Sequence, residues 1–291
     1  MFADNYWLVA TSAEMLNLMT CEWLRLLEGV GWETPAEELS WCTTVDDDVN
    51  YEIIVDYKRV RRPKRGEGFK ALGTIVTFDN NFDVEIENRL ARASATFNAN
   101  WDMLGCASAS LAKRVQIFRA TVEASFLWCA GSWNLRLEQL KRIKGAQSRM
   151  MRRMLRIKRW DGEEMDELII RSNSILKHRL RDTSIKHSWW GEKYVQLRLD
   201  WGGHVARLRK HDPSRLTYRV FNHWNYNAIR HVSDQHEGKQ HHGRYIHVWR
   251  WEYYLYKHIG RTWYDDAQNR DTWKTCVNKA IEPIICKFGP R

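Results

Sequence analysis

From Leu111 to Arg159 the chain couples a long apolar stripe to a dense basic face, and no other stretch restricts the fold as much. Leu111, Val115, Phe118, Val122, Phe126 and Cys129 recur at steps of three and four, the spacing that lines one side of an α-helix. Gly131-Ser132 interrupts the pattern, and a second helix is predicted beyond it, with Leu137, Leu140, Ile143, Met150, Met151, Met154 and Leu155 on its apolar side. Its polar side carries Lys141, Arg142, Lys144, Arg149, Arg152, Arg153, Arg156, Lys158 and Arg159, with no acid anywhere from Lys141 to Arg159. Charged residues most often mark a solvated face. A surface helix is ordinarily steadied by i,i+4 pairs of opposite sign, however, and one that cannot make them within this run has phosphate as its natural counter-charge.

The balance of charge supports a polyanionic partner. The chain of 291 residues is 44% hydrophobic, enough for a real core, and carries a net charge of +10 with a pI near 9.3, which favours nucleic acid or an anionic surface. The first fifty residues nevertheless hold ten acids against the single Arg25, so the positive charge lies downstream. Six scattered cysteines without a C-x-x-C pair argue for reduced thiols in an intracellular compartment, nucleus or cytoplasm, over a disulfide framework or zinc ribbon. No secretory leader opens the chain, and apolar runs such as Phe126 to Ala130 fall far short of the ~20 residues of a membrane span. A soluble protein is expected. Sixteen tryptophans point to heavy aromatic packing, and five prolines leave room for long helices.

Upstream of the organising stretch, Tyr6 to Ala10 reads as a β-prone run, followed by an amphipathic helix from Glu14 to Gly29 with Ser12 as N-cap. Tyr51 to Val60 and Phe69 to Phe78 read as two short strands forming a hairpin, with Asp79-Asn80-Asn81 as a turn. From Asp83, a possible cap, the period becomes helical, with Ile86, Leu90, Ala93, Phe97 and Trp101 on one face; a loop over Gly105 to Ser110 follows. Glu163 to Ile170 and Ile175 to Ile185 read as two further helices.

Several short motifs, taken together and in order, resemble the C-terminal portion of the reverse transcriptase of non-LTR (LINE-type) retrotransposons. Phe2-Ala3-Asp4-Asn5 before an apolar run is similar to the family's third catalytic motif, an aromatic residue, any residue and two aspartates. Ala71-Leu72-Gly73 with Asp79-Asn80 resembles its following hairpin, and Glu85-Ile86-Glu87-Asn88-Arg89-Leu90 the start of its thumb region. Leu111 to Trp133, including Trp128-Cys129-Ala130-Gly131, and Leu140 to Arg156, with Gln147, Arg149, Arg152 and Arg153, look like the thumb helices. Trp201-Gly202-Gly203-His204-Val205-Ala206-Arg207 and Ala267-Gln268-Asn269-Arg270-Asp271-Thr272-Trp273 resemble two elements of the region after the thumb.

The resemblance implies an α+β, helix-dominated fold. A small incomplete antiparallel palm remnant over residues 1–80 would precede a helical thumb-like domain over 81–185 and a less regular, Trp/His/Arg-rich region over 186–291. It implies that the upstream palm strand and fingers would precede Met1. Asp4 would be the remnant of a metal ligand and Asn5 the replacement of its second acid. The parent family uses Mg²⁺, but this chain is expected to hold no cofactor and to lack polymerase activity. The thumb's role implies a template-primer partner, RNA or an RNA/DNA duplex gripped by its backbone, through Lys113, Arg114, Lys141, Arg142, Lys144, Arg149, Arg152, Arg153 and Arg156, with no membrane and no sequence specificity.

Other constellations carry less. His231, His236, His241, His242 and His247 lack the i,i+4 spacing of a helical zinc site and have no neighbouring cysteine, so no metal is expected. The tryptophans from Trp189 to Trp273 are expected mainly in cores, with base stacking as the functional alternative. Asp46 to Asp48 reads as an exposed loop, and no phosphate-cradling glycine loop, G-x-S-x-G or H-E-x-x-H motif occurs. Two other readings use the same residues: a stand-alone basic helical protein binding RNA or an acidic partner in a host role, and half of a split polymerase, which Asn5 disfavours.

Overall fold

The computed structural model describes residues 6–43, 51–55, 57–64, 66–77, 82–133, 135–180, 189–208, 255, 258–260 and 262–288, the last six by backbone alone. The chain divides into two units, Met1–Glu85 and Ile86–Arg291. Helix dominates, joined by two small antiparallel two-stranded sheets near the N-terminus, the expected fold class.

In the first unit the predicted amphipathic helix forms as α1 (Ala13–Glu28), started by the Ser12 hydroxyl, which accepts from the Met15 amide at 3.2 Å. Leu16 and Leu24 on one side of α1 pack with Leu39 and Tyr51 on the buried cluster Trp41, Ile53, Val55 and Val60. Met15, Leu18 and Leu26 face outward. Tyr6 to Ala10 is not a strand. No strand among the described residues pairs with it, and its aromatics are used singly: Tyr6 meets Trp23 edge to face and sets its hydroxyl 2.9 Å from that of Thr34, while Trp7 meets Phe69.

The expected single hairpin is two. Tyr51 to Val60 folds on itself as β1 (Ile54–Val55) and β2 (Lys58–Arg59), with Tyr57 at φ 61° in the turn. Phe69 to Val76 does the same as β3 (Phe69–Ala71) and β4 (Thr74–Val76), turning through Leu72 and Gly73 at φ 48° and 78°. Two consecutive positive φ values are what a tight hairpin turn with the strands' own twist demands. Closing two-residue loops costs less chain entropy than pairing one stretch with the other across an intervening segment. The carboxylate of Glu85, almost fully buried, ties the sheet to the next helix by accepting from the Thr74 hydroxyl at 2.8 Å and the Ile75 amide at 2.7 Å.

That helix is α2 (Asp83–Ala99), whose Ile86, Ala93 and Phe97 are buried as the periodicity requires. The second unit continues with the short α3 (Trp101–Leu104) and with α4 (Leu111–Phe118), which is capped by Ser110. The helix then widens into a π turn over Arg119–Glu123 and ends as α5 (Ala124–Phe126). The break falls at Leu127 to Cys129, where Cys129 takes φ 58°. It precedes α6 (Leu137–Met154), the expected basic helix, started by the Gln139 carboxamide accepting from the Arg136 amide at 2.7 Å.

Beyond α6, the two helices expected between Glu163 and Ile185 are one over the described residues, α7 (Met165–Leu180), because nothing in Arg171 to Ser174 breaks a helix. Then come α8 (Trp190–Ala206), the short α9 (Trp263–Asp266) and α10 (Arg270–Phe288). An aromatic core joins α4, α5 and α8: the Trp190 ring stacks on Phe126 at 4.1 Å and on Phe118 at 5.9 Å, and Phe97 and Trp133 complete it edge-on. The side chain of Gln147 on α6 accepts from the Trp190 amide at 2.7 Å and so fastens α6 to the start of α8. No helix among the described residues is long and apolar enough to cross a membrane.

Candidate nucleic-acid interface

The basic residues of α4 and α6 divide by the partners they find. Arg114 donates to the carbonyl of Met154 at 2.7 Å and reaches that of Leu104 at 3.5 Å, while Arg156 forks onto the carbonyl of Gly105 at 3.1 and 2.5 Å. Met154 ends α6, and Leu104 and Gly105 end α3. Two helix C-termini with negative dipole ends therefore meet between two guanidiniums. Burial and the neighbouring charge of Arg156 lower the pKa of Arg114. Arg156 itself takes φ 55°. Its amide donates to the Arg153 carbonyl at 2.9 Å and the next amide, Ile157, to that of Arg152 at 3.0 Å, the closing motif where glycine usually stands.

Arg142 and Arg153 turn toward α2. The Arg142 guanidinium is 3.0 Å from the Glu87 carboxylate, and that of Arg153 is 2.7 Å from the Asn98 side-chain oxygen. Both contacts join residues 55 apart in sequence, so α2 and α6 run parallel. Arg153 also covers the Trp101 ring at 4.3 Å. The counter-charge that α6 lacks from Lys141 onward comes in part from α2, although an ion pair as exposed as Arg142–Glu87 adds at most about 1 kcal/mol.

Arg152 is half-buried and donates to the Ser148 carbonyl at 3.2 Å; burial, then the charge of Arg149, lowers its pKa. Lys144 is half-buried. Lys113, Lys141 and Arg149 are exposed and have no ion-pair partner among the described residues. Lys141, Arg149 and Arg152 share the outward side of α6, with Arg142 and Arg153 along its edge toward α2.

Four cations of the first unit's basic tract find partners within that unit. Lys58 pairs with Glu37 at 2.8 Å, Arg59 with Glu52 at 3.0 Å and Arg61 with Glu67, while Arg62 lies over Trp41. Asp4, Asn5, Asp46 to Asp48 and the five histidines from His231 to His247 lie outside the described residues. Among the described residues no group of histidines, cysteines and acids could hold a metal ion.

The segments Trp201 to Arg207 and Ala267 to Trp273 meet in space. Arg207 donates to the Ala267 carbonyl at 2.7 Å, Gln268 to the Ala206 carbonyl at 3.2 Å, and Trp273 lies directly over Gly203. Trp189, Trp190, Trp263 and Trp273 are buried and serve packing, Trp201 is partly exposed, and Trp224, Trp249 and Trp251 lie outside the described residues. Trp160, just past the basic run, is 64% exposed and held by Arg171. Its place between Lys158-Arg159 and an Asp-Gly turn is the signal of it that the sequence carries.

No protein-family model, curated protein or solved structure matches the chain.

Proposed function

We propose that the chain derives from the C-terminal portion of a non-LTR retrotransposon reverse transcriptase, and that its helical unit grips a nucleic-acid duplex by the phosphate backbone without synthesising DNA. The observation that carries the grip is the outward side of α6. Lys141 and Arg149 stand exposed about 12 Å apart along the helix, in a run free of acids, with three more arginines beside them. Backbone contacts of this kind hold RNA or RNA/DNA without reading bases. Polymerisation needs metal-bound carboxylates from at least two motifs to polarise the attacking hydroxyl and neutralise the triphosphate. Asp4 is followed by Asn5, whose amide is no anionic ligand.

The test is binding to duplex and single-stranded RNA and DNA over a range of salt. Affinity is expected to fall steeply with salt, and Lys141→Ala with Arg149→Ala to flatten the log–log slope by about 2. A flat response in the unaltered protein, or binding confined to an acidic protein partner, overturns the grip. Primer extension with Mg²⁺ or Mn²⁺ that vanishes in Asp4→Ala overturns the absence of catalysis.

A further inference from the structure

Past the end of α6 the chain spends a buried ion pair on holding one exposed ring. Trp160, Asp161, Gly162 and Glu163 form a tight turn in which the Glu163 amide donates to the Trp160 carbonyl at 3.1 Å and Gly162 takes φ 76°. The Glu163 side chain folds back into the turn, is buried, and accepts from the Trp160 amide at 3.0 Å. Arg171 of α7 forks onto both its carboxylate oxygens at 2.6 and 2.7 Å and donates to the Lys158 carbonyl at 2.8 Å. Arg159 closes the ring of contacts on the Glu163 carbonyl at 2.5 Å.

The same Arg171 guanidinium lies over the Trp160 indole, 3.8 Å from its centroid, and is itself mostly buried. One face of the indole is thus covered, yet the residue remains 64% exposed, so the other face is open. An exposed tryptophan normally gains by folding down onto apolar surface. Here the backbone on both sides is pinned and the ring is backed by a cation, so it stands as a fixed flat surface. Lys158 and Arg159, next before it in the chain, are exposed and continue the basic run of α6, while the exposed acids Asp161 and Glu164 follow it.

We infer that Trp160, backed by Arg171, stacks an unpaired nucleobase where a single strand leaves the duplex held by α6. Every base has a π-face, so the platform is indifferent to sequence, and the phosphate next to that base lies on the Lys158–Arg159 side. The inference rests on the proposed backbone grip for its duplex, but the ring's geometry is independent of it.

The experiment compares a blunt RNA/DNA duplex, the same duplex with a short unpaired tail carrying 2-aminopurine at its first position, and the tail strand alone. The full-length protein is expected to prefer the tailed duplex and to quench the 2-aminopurine. Trp160→Ala should bring the tailed-to-blunt ratio to near one, a loss of about 5- to 150-fold on the tailed substrate, and abolish quenching; Trp160→Phe should restore part of both. Thermal melts of each variant show whether the fold is kept, as the exposure of Trp160 leads one to expect. A ratio unmoved by Trp160→Ala, or no preference in the unaltered protein, overturns the platform and leaves the grip standing. Salt-insensitive duplex binding with Trp160-dependent capture of the tail strand does the reverse. No binding to any of the three overturns both.

Discussion

Two glutamates of the helical unit, each only 7% exposed, are driven in opposite directions, Glu163 by hydrogen bonds and Glu123 by burial. Glu163 receives the fork of Arg171 and an amide, and those hydrogen bonds hold its pKa at about 2 against an ordinary 4.5. Glu123 lies in the π turn before α5, and its nearest cation, Arg119, is 3.9 Å away. One of its oxygens has no hydrogen-bond partner among the described residues. Burial pushes Glu123 up to about 7, against the weaker pull of Lys193 and Arg119. Glu123 binds its proton more tightly folded than unfolded, so its contribution is full below about 4.5 and is lost as the pH rises to about 7. Glu163 contributes above the ordinary value, and that contribution is lost as the pH falls from 4.5 toward 2. Urea melts of Glu123→Gln should therefore lack the decline of about 1–3 kcal/mol that the unaltered protein shows between pH 5 and 7.5. An equal decline in both proteins would mean that the carboxyl finds solvent or a partner.

At the level of elements, the sharpest constraint is the seam between α8 and α10. A β-carbon built on Gly203 would stand 2.2 Å from the Trp273 indole nitrogen, and one on Gly202 would stand 2.8 Å from Leu255. Trp273 is buried and cannot swing clear. Gly203→Ala should cost about 1–3 kcal/mol through overpacking, read as a shifted denaturation midpoint, whereas Gly145→Ala, with only the flexible Arg149 side chain nearby at 3.5 Å, should be neutral or stabilising. A Gly203→Ala protein as stable as its parent would show that this seam is loose. The helices themselves were legible because their evidence is local: Leu111 to Phe126 and Leu137 to Met154 repeat at three and four regardless of what they touch. The hairpins were not, because Tyr57 and Leu72 at positive φ carry no turn signature in sequence. For the basic face of α4 and α6, the residue types could be read but not their division. Arg114 and Arg156 are spent on carbonyls 40 and 51 residues away, and a backbone carbonyl leaves no mark in the sequence.

On the scale of the molecule, the two units differ in how much each can hide. The first has the cluster of Trp41, Ile53, Val55 and Val60, a helix with no buried residue, and two hairpins of two and three residues per strand. The second buries Phe97, Phe118, Phe126, Trp133 and Trp190 together with the sulfur side of α6, Met151 and Met154. Short two-stranded sheets are marginal in water, and local opening is easiest where few apolar contacts are lost. Native-state hydrogen exchange on the intact chain should therefore show the paired amides of β1 to β4 exchanging through openings that cost little and depend weakly on urea. Those in the middle of α6 and α8 should exchange only through events close to global unfolding. The comparison needs no mutation, because both sets are backbone amides in one molecule under one condition. If β3 and β4 amides prove as protected as those of α6, then the ties from Glu85 to Thr74 and Ile75 supply the protection that so short a hairpin cannot supply itself.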